Sequence, residues 1–179
     1  MFETLSSEVV HDGYVRVTVD RVRMPDGSTE TREYATNFDA VAVVALTDGD
    51  EVVLLRQYRQ PHGTYFLELP AGKLDVEGED PADAAQRELV EEAGMRAGTL
   101  VHLTRFANSA GWTTERTDLY LATGLERVSP PADFVPKAEE ADMEVLTLPL
   151  DAALDAVRDG TVTDAKTILG ILLAADRRA

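Results

Sequence analysis

Cysteine is absent from this 179-residue chain, which excludes both a disulfide framework and a thiolate metal site. Long hydrophobic runs are absent too: the longest, TILGILLAA at residues 167–175, falls well short of the roughly 20 apolar residues that span a membrane. The opening MFETLSSEVVHDGY lacks a basic stretch followed by an apolar one, so no secretory signal is expected and the cytoplasm is the expected compartment. Positive charge is scarce. Against 33 Asp and Glu stand 17 Lys and Arg, a formal charge of −16, and a surface of that sign repels nucleic acid. A small anionic substrate stays compatible with it where local cations or a bound metal reverse the field inside a cleft. Histidine is sparse, and His11, His62 and His102 stand beside no serine–acid pair and at no metal spacing. Repeats, low-complexity tracts and linkers are lacking as well. With 44% hydrophobic residues the chain can build one globular domain with a real core, but hardly two.

What is present begins with strand periodicity. In YVRVTVDRVR (14–23) Val15, Val17 and Val19 alternate with Arg16, Thr18 and Asp20; PDGS reads as a turn and TETREYA as the returning strand, so residues 14–35 predict an antiparallel hairpin. AVAVVAL (40–46) is apolar on both faces and predicts a buried strand, followed across TDGD by EVVLLRQY (51–58) and then by YFLEL (65–69). LVHLTRFA (100–107), TDLYLATGL (117–125) and EVLTLPL (144–150) add three more. Helices are expected over 81–93, from 150 to a stop at Gly160, and over 164–177. Residues 126–143 carry three prolines and no period, and an aperiodic loop of that length inside a compact domain is more often functional than decorative. Strands interrupted by one helix and followed by two more predict an α/β fold with a mixed sheet and helices on both faces.

The first helix has well-marked ends and a crowded face. Asp80 suits the N-cap, Pro81 the first helical position, and Gly94 a left-handed stop. Ala85, Leu89 and Ala93 form an apolar stripe with Val90 nearby. Elsewhere on the helix Glu88 is followed three and four residues on by Glu91 and Glu92, so three carboxylates project from one side and repel by roughly 0.2–0.5 kcal/mol per pair. Arg87, four residues before Glu91, can form one ordinary surface pair. The remaining acids are what a hard divalent cation such as Mg²⁺ or Mn²⁺ attracts, and Mg²⁺ commonly takes substrate phosphates as further ligands. The cluster therefore points to phosphate chemistry.

The stretch ELPAGKLDVEGEDPADAAQRELVEEAGM closely resembles the Nudix box, G-x5-E-x7-R-E-U-x-E-E-x-G-U with U a bulky apolar residue. From Glu79 onward the match is complete, through Arg87, Glu88, Leu89, Glu91, Glu92, Gly94 and Met95. Upstream, six residues rather than five separate Gly72 from Glu79; the extra one lengthens a loop whose turn Gly78 can absorb. The resemblance implies a Nudix-type α/β/α sandwich over residues 39–179, preceded by the N-terminal hairpin at 1–38 as a dimerisation element. It also implies a hydrolase dependent on Mg²⁺, with Mn²⁺ able to substitute. Glu88, Glu91 and Glu92 become the metal-binding carboxylates and the Ala71 carbonyl joins them. Arg87 orients the glutamates and shares the catalytic role with Glu91, while Glu79 is structural.

Three further stretches resemble the ADP-ribose pyrophosphatase branch of the family. VVLLRQYR before FLELPAGK carries Arg59 at the position that faces the substrate phosphates, with Arg56 as the alternative. TREYA places Arg32 and Glu33 where that branch reaches the adenine or ribose from a partner chain, which implies a homodimer. NSAGWTTER keeps Ser109, Gly111 and Glu115 of the substrate loop but has Ala110 where the branch has proline, 16 residues past Gly94. Trp112, the only tryptophan, either stacks on a base or sugar or packs this loop. In the dimeric branch a glutamate on the long loop before the last strand holds the attacking water, and Glu139 or Glu140 of KAEEADM occupies that place. The resemblance thus implies hydrolysis of ADP-ribose, or of a related nucleoside diphosphate sugar, to AMP and ribose 5-phosphate. GDP-mannose or a damaged nucleoside triphosphate as substrate, and a non-catalytic nucleotide sensor, are the competing expectations.

Overall fold

A computed structural model describes residues 1–132, 134–136 and 138–178, without the side chains of residues 139 and 140. Strands β1 (Glu3–Asp12), β2 (Arg16–Arg23) and β3 (Thr29–Thr36) form an antiparallel sheet in that order. The expected hairpin is thus present as β2 and β3, and β1 extends it. β1 shows no alternation because all ten of its residues are exposed, so no face needs to be apolar. Its register is held by backbone pairing and by rim ion pairs, Arg23 to Glu3 at 2.7 Å and Arg16 to Asp12 at 3.1 Å.

The rest of the chain forms two sheets. One has the order β7 (Ala71–Lys73), β4 (Ala40–Ala45), β9 (Arg116–Arg127), β8 (Met95–Ala107), mixed because β4 runs parallel to β9. The other is antiparallel, with β5 (Glu51–Arg59) between β10 (Glu144–Pro149) and β6 (Thr64–Glu68). The single mixed sheet expected from the sequence is therefore divided: among the described residues an isolated bridge, Leu46 to Val52, joins β4 to β5 beside their turn.

Helix α1 (Pro81–Ala93) packs on one side of β4 and α3 (Ala165–Arg178) on the other, with α2 (Leu150–Arg158) beside α3. Val41, Val43 and Ala45 share a core with Ala84, Ala85, Leu89 and Ala93 of α1. Ala42 and Val44 share the opposite core with Leu69, Leu150, Ile171 and Ala174. Two-sided burial is what the uninterrupted apolar run of β4 demands. The result is the α/β/α sandwich. α3 comes close enough that a Cβ on Gly170 would stand 2.6 Å from Leu69 Cδ1 and 2.7 Å from Val44 Cγ2.

The ends of α1 follow their chemistry. The Asp80 carboxylate accepts from the Ala82 N–H at 2.8 Å, Pro81 opens the helix, and Gly94 closes it at φ 61° with its N–H on the Val90 carbonyl. Gly78 takes φ 78° in the lengthened loop, so the extra residue is absorbed before the helix and its register is untouched. The aperiodic stretch is shorter than expected at both ends, since β9 runs to Arg127 and a 3₁₀ turn spans Ala138–Asp142. No helix among the described residues is long and apolar enough to cross a membrane.

Candidate active site

The acidic face of α1 opens onto a cleft of about 750 Å³ whose other walls come from β5, the start of β9 and the first turn of α3. Glu88, Glu91 and Glu92 all line it, as expected from their spacing. β7 brings the backbone against them. The Ala71 N–H donates to Glu92 Oε2 at 2.8 Å, and a Cβ on Gly72 would overlap the Glu88 carboxylate. Gly72 is required for close approach, and the longer loop after it leaves that fit intact.

Arg87 is not the ordinary surface pair that its spacing suggests. Its Nε and Nη2 donate to the two Glu79 oxygens at 3.0 Å each, while Nη1 donates to Glu88 Oε1 at 2.5 Å and to Glu91 Oε2 at 3.2 Å. One guanidinium thus gathers three carboxylates, because its planar fork offers five donors in fixed directions. The Arg87 hydrogen bonds hold Glu79 below the usual carboxylate range. Burial pushes Glu88 up despite Arg87. It pushes Glu92 furthest, up to about 8, against the Ala71 N–H and with the Glu88 charge adding to the rise.

A hard cation fits this donor set. Glu88 and Glu91 share one guanidinium with Glu79, Glu92 is ionised only with difficulty, and oxygen donors are what Mg²⁺ and Mn²⁺ select. The set is not preassembled. Among the described residues no three acidic or histidine side chains converge closely enough to hold an ion as they stand, because Arg87 and the Ala71 N–H engage the oxygens.

Opposite the acids stand cations. Arg59 lines the cleft and pairs bidentately with Glu68, Nε to Oε1 at 2.7 Å and Nη2 to Oε2 at 2.6 Å. Burial pushes Glu68 up, but the Arg59 hydrogen bonds and the Lys166 charge pull it below its ordinary value. Lys166 bonds to Glu68 as well and lines the cleft. Neither Glu68 nor Lys166 is singled out by the sequence. They lie 98 residues apart, on β6 and α3, so no local spacing links them. The chain's three lysines are a faint signal, since Lys73 and Lys166 both line this cleft. Lys73 also covers the Tyr14 ring at 3.7 Å, joining the box loop to the N-terminal sheet.

The other expected residues divide. Glu115 lines the cleft, where burial raises its carboxyl. Arg56, next to the cleft-facing Gln57 on β5, points elsewhere: its guanidinium lies 3.6 Å over the Tyr65 ring and 3.5 Å from Glu144. Trp112 is 60% exposed and outside the cleft lining, and its carbonyl accepts from the Ala35 N–H at 2.8 Å. Arg32 and Glu33 are exposed on β3, also away from this cleft within one chain. Glu139 and Glu140 lie in the 3₁₀ turn, with side chains outside the described residues. Tyr65 fastens that turn through a 2.6 Å hydrogen bond to Asp142.

An α/β/α sandwich with an acidic helix facing paired cations across one cleft has the makings of a phosphate-directed hydrolase. A family model of the NUDIX domain matches residues 36–168, and the chain belongs to that family as one of its hydrolases. An ADP-ribose pyrophosphatase of Mycobacterium tuberculosis is 41% identical over 172 residues, covering 96% of this chain and 82% of the relative. A methanol dehydrogenase activator of Bacillus methanolicus is 36% identical over 170 residues, covering 94% and 90%. The crystal structure of an ADP compounds hydrolase matches at a TM-score of 0.85 and 25% identity, over 98% of this chain and 92% of that one.

Proposed function

We propose that this chain hydrolyses the pyrophosphate bond of ADP-ribose and related nucleoside diphosphate sugars, releasing AMP and ribose 5-phosphate. The observation that carries the reading is Arg59 facing Glu88, Glu91 and Glu92 across one cleft, in a chain 41% identical to a protein named ADP-ribose pyrophosphatase. Glu88, Glu91 and Glu92, with the Ala71 carbonyl, would hold Mg²⁺ or Mn²⁺. A divalent cation there supplies positive charge against the pyrophosphate oxygens and Lewis acidity.

The chain's own residues do the rest. Arg59, locked in orientation by Glu68, binds a phosphate; Arg87 orients Glu88 and Glu91; Glu115 borders the sugar end. A glutamate of the 138–142 turn, Glu139 or Glu140, takes a proton from water. The water oxygen bonds to one phosphorus, the bridging P–O bond breaks, and the bridging oxygen leaves on the other phosphate. Preorganised charge and positioning are the main contributions the protein makes to such a step.

Residues 1–38 serve as the dimerisation element of a cytoplasmic homodimer in which Arg32 and Glu33 reach the partner's cleft. Support comes from the exposed β1 and from the Tyr14 contact that places this sheet at the cleft's edge. Turnover of a substrate panel decides the substrate. With Mg²⁺ and with Mn²⁺, ADP-ribose should exceed GDP-mannose and nucleoside triphosphates in kcat/KM by at least roughly tenfold, since polar groups left unpaired by the wrong ligand each cost about 1–3 kcal/mol. Chromatography should show AMP and ribose 5-phosphate. Preference for GDP-mannose or a triphosphate would overturn the substrate.

A further inference from the structure

Lys166 reaches the cleft from the far end of the sequence and is held there firmly. Its neighbour Thr167 is fully buried, donates its hydroxyl to Asp164 Oδ2 at 2.6 Å, and accepts from the Leu69 N–H at 2.9 Å. The first turn of α3 is thereby fastened to the backbone next to Glu68. The Lys166 ammonium bonds to Glu68 and stands 3.1 Å from Asp164, and its side chain is only 16% exposed.

The charges of this group are arranged in a layer. Arg59 and Lys166 line the cleft, whereas Glu68 and Asp164 do not. Two anions behind and two cations in front make a fixed dipole with its positive side toward the cleft and toward the acids of α1. Glu68 does not need Lys166 to complete its partners, since Arg59 already engages both of its oxygens. An ammonium has three N–H donors. Glu68 accepts from one of them and Asp164 is paired by charge at 3.1 Å, so at least one N–H has no hydrogen-bond partner among the described residues.

We infer that Lys166 is a second phosphate-binding residue, whose remaining N–H donates to a diphosphate oxygen beside the one bound by Arg59. This rests on the proposed pyrophosphatase reading and adds to it a cation from the last helix. A diphosphate presents two anionic centres, and one guanidinium neutralised by a bidentate carboxylate offers them little net charge. The ammonium provides the second donor direction. Lysine serves as a point charge here, so arginine can replace its charge.

The test compares wild type, Lys166→Met, Lys166→Gln and Lys166→Arg in calorimetric titration with ADP in Mg²⁺ buffer, alongside kcat, KM and melting temperature. ADP carries a diphosphate and needs no turnover. Both neutral variants should bind ADP about tenfold more weakly and raise KM by a similar factor, with kcat within about threefold and melting unchanged within a few degrees. Lys166→Arg should recover most of the affinity. Wild-type ADP affinity in either folded neutral variant overturns the inference, as does a loss in all three variants that tracks lowered melting. If wild type hydrolyses none of the panel while its ADP affinity still depends on Lys166, the substrate reading falls and the Lys166 site stands. Turnover of ADP-ribose with ADP affinity indifferent to Lys166 gives the reverse.

Discussion

Glu92 shows how much of the site's character depends on single residues. Burial, with the nearby Glu88 charge, lifts its carboxyl to about 8, so between an ordinary value of 4.5 and about 8 the unfolded chain has lost a proton that the folded chain keeps. Stability without metal must therefore fall as pH rises through that window, and it is undisturbed below it, where both states are protonated. Glutamine has no such proton. In EDTA, Glu92→Gln should melt at or above wild type at pH 8, and the difference should shrink toward pH 5. Mg²⁺ should raise the wild-type melting temperature and leave the variant's nearly unchanged, and hydrolysis by the variant should fall by several orders of magnitude. A variant with near wild-type turnover in Mg²⁺ would show that the ligands are misassigned. The acids themselves are legible in the sequence because they lie within one helical turn. By spacing alone Arg87 is legible only as a neighbour of Glu91, since its bond to Glu79 runs back across the start of the helix; its orienting role is legible only through the resemblance of the box. Glu68 and Lys166 are invisible at this scale, because their contact depends on where the last helix lands.

Elements were readable where local chemistry sets their limits. α1 begins and ends where Asp80, Pro81 and Gly94 place it, and β4 is apolar on both faces because a helix covers each. β1 and the three-residue β7 were not readable. β1 has no buried face to impose a period, and β7 is too short to show one. The division into two sheets is not legible for a similar reason, since periodicity reports burial and not partners. The seat of α3 depends on one missing methyl. Gly170→Ala would press a Cβ against Leu69 and Val44 at 2.6 and 2.7 Å, and overpacking of this kind costs about 1–3 kcal/mol. The better helix propensity of alanine returns up to about 1 kcal/mol. A net loss should appear as a lower urea midpoint at unchanged slope. Because Lys166 and Thr167 sit on the first turn of the same helix, KM should rise together with the loss. A midpoint at or above wild type would mean that the helix shifts freely and that its close approach constrains nothing.

At the scale of the molecule, a charge of −16 has to coexist with an anionic substrate. The cleft sets Arg59, Lys73, Lys166 and Arg87 against Asp75, Glu88, Glu91, Glu92 and Glu115, so a bound divalent cation would be needed to turn its field positive. The N-terminal sheet raises the other question of scale. Along β1 Leu5, Val9 and Val10 are exposed, preceded by the exposed Phe2, and Arg32 and Glu33 on β3 stand clear of the chain's own cleft. Exposed apolar residues beside an open strand edge cost little when a second copy covers them, and in the proposed homodimer Arg32 and Glu33 act in the partner's cleft. Complementation tests this directly. Arg32→Ala and Glu92→Gln chains should each be nearly inactive alone, for different reasons. Unfolded and refolded together in equal amounts, half of their dimers are mixed. In a mixed dimer one site carries both lesions and the other carries neither, so total activity should return to about one quarter of wild type. Recovery on that scale requires a site built from two chains. If the mixture is no more active than its parts, or if the wild type sediments as a monomer at micromolar concentration, Arg32 acts within its own chain or not at all.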